Sequence, residues 1–123
     1  MIDSRIFIRN SFSQYKEDTL IRNILRKYDL TGTIYVDVGA NHPTEISNTY
    51  LLYRKGLHGI IIEPNEELIM LFKKFRKRDI PLLIGCTNHA AILPFHISKT
   101  PAISSFSIQK TGDLYRTGYI PVM

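Results

Sequence analysis

Apolar positions recur along this chain at two spacings. Between Lys16 and Tyr28, Leu20, Ile21, Ile24, Leu25 and Tyr28 fall at helical intervals, with Arg22, Arg26 and Lys27 on the opposite side. The pattern predicts a helix over 16–28. Ser13 is its candidate N-cap, Glu17 and Asp18 suit its first turn, and Gly32 lies beyond its end. Ile34–Val38 is a short β-branched run that stops at Gly39, which predicts a buried strand. Ser47–Lys55 reads as a second helix, ended by Gly56. Gly59–Glu63 has too few polar positions to alternate, which predicts a parallel strand covered on both faces.

The clearest helix is 65–78. Asn65 caps it, Glu66 and Glu67 occupy the first turn, and Leu68, Leu71, Phe72 and Phe75 form an apolar stripe. Pro81–Cys86 predicts a third strand and Ile92–Ile97 a fourth, joined as a hairpin through 88–90. From Ser98 onward Ser, Thr, Gly and Pro predict loop, with a last strand at Tyr119–Met123. Helix and strand alternate, so the expected fold is α/β with a mainly parallel sheet and right-handed crossovers. No repeat or linker divides the chain, so 1–123 reads as one domain, with its core at about 33–97.

Composition narrows the class. Of 123 residues 44% are apolar and 22% charged, which excludes a disordered or low-complexity chain. The longest apolar runs are far shorter than the ~20 residues of a membrane span, and the start MIDSRIFIRN lacks the h-region of a secretory signal. The single cysteine, Cys86, has no partner within the chain, which fits a reducing, cytoplasmic setting. The net charge is +5, and five of the six residues Lys73–Arg78 are basic. They read as a solvated helix end favoured by the dipole; no recognition motif accompanies them, so no nucleic-acid partner is expected.

The candidate chemistry sits in Val36-Asp37-Val38-Gly39-Ala40-Asn41-His42-Pro43, where the first strand runs into a loop. Ligands of open α/β sheets bind at the carboxyl ends of strands, and Gly39 lets the backbone turn tightly there. Glu63 ends the next strand 24 residues after Gly39, the place of a carboxylate that accepts hydrogen bonds from ribose hydroxyls. Together they favour a nucleoside-containing cofactor. Asn41 stands where a dinucleotide fingerprint has its second glycine, so a pyrophosphate cradle is a poor match. Asp37 and Asn41 suit a cationic, amino-acid-bearing cofactor such as S-adenosylmethionine.

These segments resemble the FkbM family of S-adenosylmethionine-dependent methyltransferases. The likeness rests on Ser13-Gln14-Tyr15-Lys16-Glu17-Asp18, YVDVGANHP at 35–43, Ser47-Asn48-Thr49, GLHGIIIEPN at 56–65, the following LIMLFKKFR, and Ser104-Ser105-Phe106. The resemblance implies a Rossmann-like class I methyltransferase fold and O-methylation of a hydroxyl on a sugar or other small metabolite. It implies that Asp37, Gly39, Ala40 and Asn41 line the methionine and ribose side of the cofactor and that Glu63 binds the ribose. Pro64 and Asn65 would shape the adenine pocket, Cys86 to Asn88 would supply an adenine contact, and Asn48 is a further candidate. Family members continue into a threonine-leucine-aspartate motif and an isoleucine-aspartate-x-glutamate-glycine strand. Here the sequence runs to Ile120-Pro121-Val122-Met123, so the expectation is a C-terminally truncated methyltransferase domain.

His42 follows the cofactor loop and is the candidate general base; the alternative is a loop histidine bonded to backbone or solvent. His58, His89 and His96 show no metal-ligand spacing, and no metal site is expected. Cys86 reads as a small buried hydrophobe. Tyr50, Leu51 and Tyr53 read as packing residues. Two further readings stand beside the enzyme. One is a non-catalytic α/β module that binds a partner or self-associates through an unpaired sheet edge. The other is a nicotinamide-binding domain, against which the single loop glycine argues.

Overall fold

The computed structural model describes residues 11–30, 32–101, 104–107 and 113–123. Its elements run α1 (Glu17–Lys27), β1 (Tyr35–Val38), α2 (Tyr50–Arg54), β2 (Gly59–Ile62), α3 (Glu66–Phe75), β3 (Ile80–Leu82), β4 (Ala91–Ser98) and β5 (Leu114–Val122). The fold is mixed α/β. β1, β2 and β3 form a parallel sheet in that order, and β4 and β5 form an antiparallel pair. No helix among the described residues is long and apolar enough to cross a membrane. The segments 1–10, 102–103 and 108–112, which include the predicted start and part of the predicted loop after Ser98, lie outside the described residues.

The parallel register places Val36, Ile60 and Ile80 in one row, and Val38, Ile62 and Leu82 in the next. Rows of a pleated sheet share a face. The opposite face carries Tyr35 and Ile61, and there Ile61, Phe72 of α3 and Ala40 form a buried cluster with Tyr35 against it. The cover on both faces expected of Gly59–Glu63 is partial, since Ile60 and Ile62 of β2 are only half-buried on the face away from Phe72. Val36 and Ile80 remain 57% and 58% exposed, because α2 and α3 both belong to connections between these strands and only the Ile61 face packs on Phe72.

Helix ends follow local chemistry. The Asn65 side chain accepts the Glu67 N–H at 3.0 Å, the predicted cap of α3. α1 begins differently from its prediction. Its N-cap is Lys16, in the left-handed region at φ 64° and without a side-chain cap. Ser13 still serves the first turn, since its hydroxyl accepts the Asp18 N–H and donates to the Asp18 carboxylate at 2.9 Å. Asp18 is fully buried and also accepts from Ser11 Oγ and the Phe12 N–H. Ser47, Asn48 and Thr49 precede α2 rather than forming its first turn; Ser47 Oγ accepts the Tyr50 N–H at 3.1 Å.

The predicted hairpin between the third and fourth strands is absent. β3 ends at Leu82, and β4 pairs instead with β5, which is far longer than the strand expected at 119–123. The sheets meet where Gly85 bridges Val122 in parallel: Gly85 N–H donates to Pro121 O and Met123 N–H to Gly85 O, both at 3.0 Å. Burial drives this arrangement. Phe95 and Ile97 of β4 and Ile120 of β5 form a second core cluster, against which Leu83 and Phe106 pack.

Candidate functional site

The Gly39–Asn41 turn is pinned to the end of β2. Gly39 N–H donates to Ile62 O at 2.8 Å, and Asn41 N–H donates to Glu63 Oε2 at 2.8 Å. Gly39 and Asn41 both adopt the left-handed region, at φ 68° and 57°, which glycine and asparagine tolerate best. The other Glu63 oxygen accepts the Asn65 N–H at 2.9 Å. One buried carboxylate therefore joins the first loop to the start of α3. Burial pushes the Glu63 carboxyl above its ordinary value; the Asn41 and Asn65 amides oppose this and nearby Asp37 adds to it.

A cavity of about 340 Å³ opens at the ends of β1 and β2. That is within the ~300–1,000 Å³ of small-molecule sites. Of the candidates named from the sequence, Gly39, Asn41, Glu63, Pro64 and Cys86 line it. Its far wall carries Gly85, Phe95, Ser104, Ser105 and Phe106. Phe95 and Phe106 pack with ring centroids 4.9 Å apart. A Cβ on Gly85 would lie 2.5 Å from Phe106 Cζ, so only glycine allows the ring this close. Phe95, Phe106 and Gly85 escaped the sequence reading as site residues. Ser104-Ser105-Phe106 was a legible motif without a role.

The other predicted residues lie elsewhere. Asp37 faces away from this cavity into the sheet–helix layer, where its Oδ2 accepts from Thr49 Oγ1 at 2.6 Å. Ala40 is buried in the Ile61–Phe72 cluster. Asn65 is buried as the α3 cap, and its Nδ2 has no partner among the described residues. Asn48 and Asn88 are exposed and not among the described residues of the cavity wall, and Asn88 Oδ1 meets its neighbour His89 at 2.7 Å. Cys86, expected to be buried, is an exposed free thiol at the cavity wall, because the chain turns out of the sheet after Leu82.

His42 lines an adjoining cavity. Its Nδ1 accepts the N–H of Thr44 at 3.2 Å and of Glu45 at 3.1 Å. Two backbone donors on Nδ1 put the neutral ring's proton on Nε2, which makes that nitrogen a donor. The backbone-bonded alternative describes this geometry, and a general base does not.

The basic run after Phe72 is not uniformly solvated. Arg76 is fully buried. It pairs with Asp79 at 2.7 Å and donates to Pro43 O, Tyr35 Oη, Ser47 Oγ and Thr49 Oγ1. Asp79 also accepts from Tyr35 Oη at 2.7 Å and from the Gly59 N–H at 2.9 Å. Burial raises the Tyr35 phenol above its ordinary pKa. Because a guanidinium only donates, the Thr49 hydroxyl accepts from Arg76 and is left to donate its own hydrogen bond to Asp37. Arg76 thus holds the whole 43–49 loop and, through Thr49, orients Asp37.

The wall offers a carboxylate that accepts from hydroxyl donors and an aromatic pair, and among the described residues no Lys or Arg lines it. No group of three or more His, Cys, Asp or Glu suited to a metal occurs among the described residues. Comparison with protein-family models, with curated proteins and with solved structures returns no match to this chain.

Proposed function

We propose that this chain binds S-adenosylmethionine and carries the cofactor-binding part of a Rossmann-like methyltransferase of the FkbM type, acting on a hydroxyl of a sugar or small metabolite. The observation that carries the reading is Glu63, which closes the Gly39–Asn41 turn beside a cavity of nucleoside size. Both Glu63 oxygens have lone pairs left after meeting Asn41 and Asn65, enough to accept two ribose hydroxyls. Phe95 and Phe106 offer a face for adenine, and Gly39 gives close access for the methionine end. When bound, held by Glu63 at its ribose and by the Gly39–Asn41 turn at its methionine end, the cofactor would supply an activated methyl group for an acceptor hydroxyl. The residues of this chain bind, orient and exclude water, the terms that dominate such a transfer. Titration calorimetry with S-adenosylmethionine and S-adenosylhomocysteine tests the reading: both bind, and Glu63→Ala abolishes binding. A folded sample that takes up neither would overturn it.

A second reading has its own observation. Val36 and Ile80 leave part of an apolar sheet face exposed, beside an edge of β1 that pairs with no strand among the described residues. That face supports a non-catalytic module that self-associates or binds a partner. Light scattering decides: a monomer with methyl-transfer activity excludes it, and an oligomer without cofactor binding favours it.

A further inference from the structure

A separate cavity of about 200 Å³ lies where α1 meets α2. Leu25, Leu30, Leu52 and Leu57 form its apolar part, and Leu52 is buried. The charged groups on its wall are Arg22, Arg26 and Lys55. Leu30 and Leu57 precede β1 and β2, so this space sits toward the amino ends of those strands, whereas Gly39 and Glu63 follow their carboxyl ends. It has room for about seven waters at ~30 Å³ each, the scale of a short carbon chain.

Two of the three cations have a local reason to be there. Arg26 stands in the last turn of α1 and Lys55 is the C-cap of α2, where the negative ends of helix dipoles favour positive charge. Arg22 has no such reason. It lies in the middle of α1, one turn before Arg26, a spacing at which like charges repel. Its Nε is buried without a hydrogen-bond partner among the described residues. Its Nη2 meets Asn23 Oδ1 at 3.4 Å, beyond the range of a good hydrogen bond. The ion pairs among the described residues, Arg76–Asp79 and Arg116–Glu67, include none of the three. A buried guanidinium N–H that shares a cavity with two further cations and a leucine floor calls for a ligand that is anionic at one end and apolar at the other.

We propose that this cavity binds a small amphiphilic carboxylate, with its head at Arg22 and its tail on Leu25, Leu30, Leu52 and Leu57. A guanidinium holds a carboxylate through two parallel N–H donors, and Nε is one that Arg22 has to offer. Arg26 and Lys55 add attraction at the rim. The site shares no residue with the cofactor cavity and does not depend on the cofactor reading.

Titration calorimetry of the full chain with octanoate, hexanoate, acetate and octanol tests it, with amide chemical shifts locating the bound octanoate. Octanoate is expected to bind and to shift Arg22, Leu25, Leu52 and Lys55. Hexanoate should bind about fifteenfold more weakly, since each buried methylene is worth about fourfold in affinity. Acetate, which lacks the tail, and octanol, which lacks the charge, should each bind at least about tenfold more weakly than octanoate. Arg22→Gln should weaken octanoate about tenfold while its circular dichroism and its affinity for S-adenosylhomocysteine match those of the parent chain. The proposal is overturned if a folded chain takes up no octanoate, if octanol binds as tightly, if the shifts fall elsewhere, or if Arg22→Gln binds octanoate like the parent. Octanoate bound at Arg22 in a chain that takes up no S-adenosylhomocysteine sinks the cofactor reading and leaves this site standing.

Discussion

Glu63 accepts the backbone N–H of Asn41 at 2.8 Å, so the acid that ends the second strand also fixes the loop that ends the first. A glutamine at 63 has nearly the same shape but only one acceptor oxygen. Its amide would face the N–H of Asn41 or Asn65, leaving a buried donor unpaired at a cost of about 1–3 kcal/mol. Glu63→Gln is expected to lower unfolding stability by that amount, read by circular dichroism in urea, and to weaken S-adenosylmethionine binding more than tenfold, read by calorimetry. Unchanged affinity in a folded Glu63→Gln protein would separate the carboxylate from the ligand.

Two buried carboxylates give opposite pH dependences. Burial raises the Asp18 carboxyl, but hydrogen bonds from Phe12, Ser11, Ser13 and Thr19 outweigh it, so its pKa lies below the ordinary value. Its stabilisation is present above the unfolded pKa and is lost as pH falls through the folded one. Glu63 is raised, so its contribution is full below the unfolded pKa and is lost as pH rises through the folded one. Stability measured from acid to neutral pH should therefore change in slope with each substitution. Asp18→Asn removes the loss on the acid side of the ordinary carboxylate range. Glu63→Gln removes the decline just above it. A profile that neither substitution alters would contradict both assignments.

Gly85 sets the distance between the bridge to β5 and the Phe106 ring. An added methyl meets Phe106 Cζ at 2.5 Å and Val122 Cγ1 at 3.1 Å, so the ring, which lines the cavity, must shift. Gly85→Ala is expected to cost about 1–3 kcal/mol, as overpacking does. It should also reduce cofactor affinity, whereas Gly118→Ala, with open space around its Cβ, should leave affinity unchanged. Equal affinities in the two variants would remove Phe106 from the site.

What could be read from the sequence was local. β1, β2 and the Asn65 cap followed from runs of β-branched residues and from a cap beside its own helix. The Gly39 loop and Glu63 were legible because each is placed by the strand it ends. The β4–β5 pair was not. Phe95 and Gly118 face each other across a long connection, and nothing near Phe95 favours that partner over the third strand. Cys86 was misplaced for a related reason: the chain leaves the sheet after Leu82, a fact decided by the distant pairing of Gly85 with Val122. Arg76 was the largest miss. Among five basic neighbours nothing local distinguishes the one whose partners are Tyr35, Thr49 and Pro43.

That buried arginine gives the sharpest stability test. Arg76 and Asp79 are both fully buried as side chains and lie 2.7 Å apart. Removing one member strands the other as an unpaired charge, at about 3–5 kcal/mol, while removing both costs much less than the sum. Arg76→Met is therefore expected to be severely destabilising and Asp79→Asn comparably so, with the double variant recovering a large part of the loss. Thr49→Val is the milder probe. It spares the Arg76–Asp79 pair but removes the only hydroxyl that donates to Asp37 among the described side chains, and Thr49→Ser should restore it. Urea titrations of the six proteins, parent included as reference, give the coupling energy directly. Additive losses for Arg76→Met and Asp79→Asn would mean that the pair does not act as a unit and that the 43–49 loop is held by other contacts.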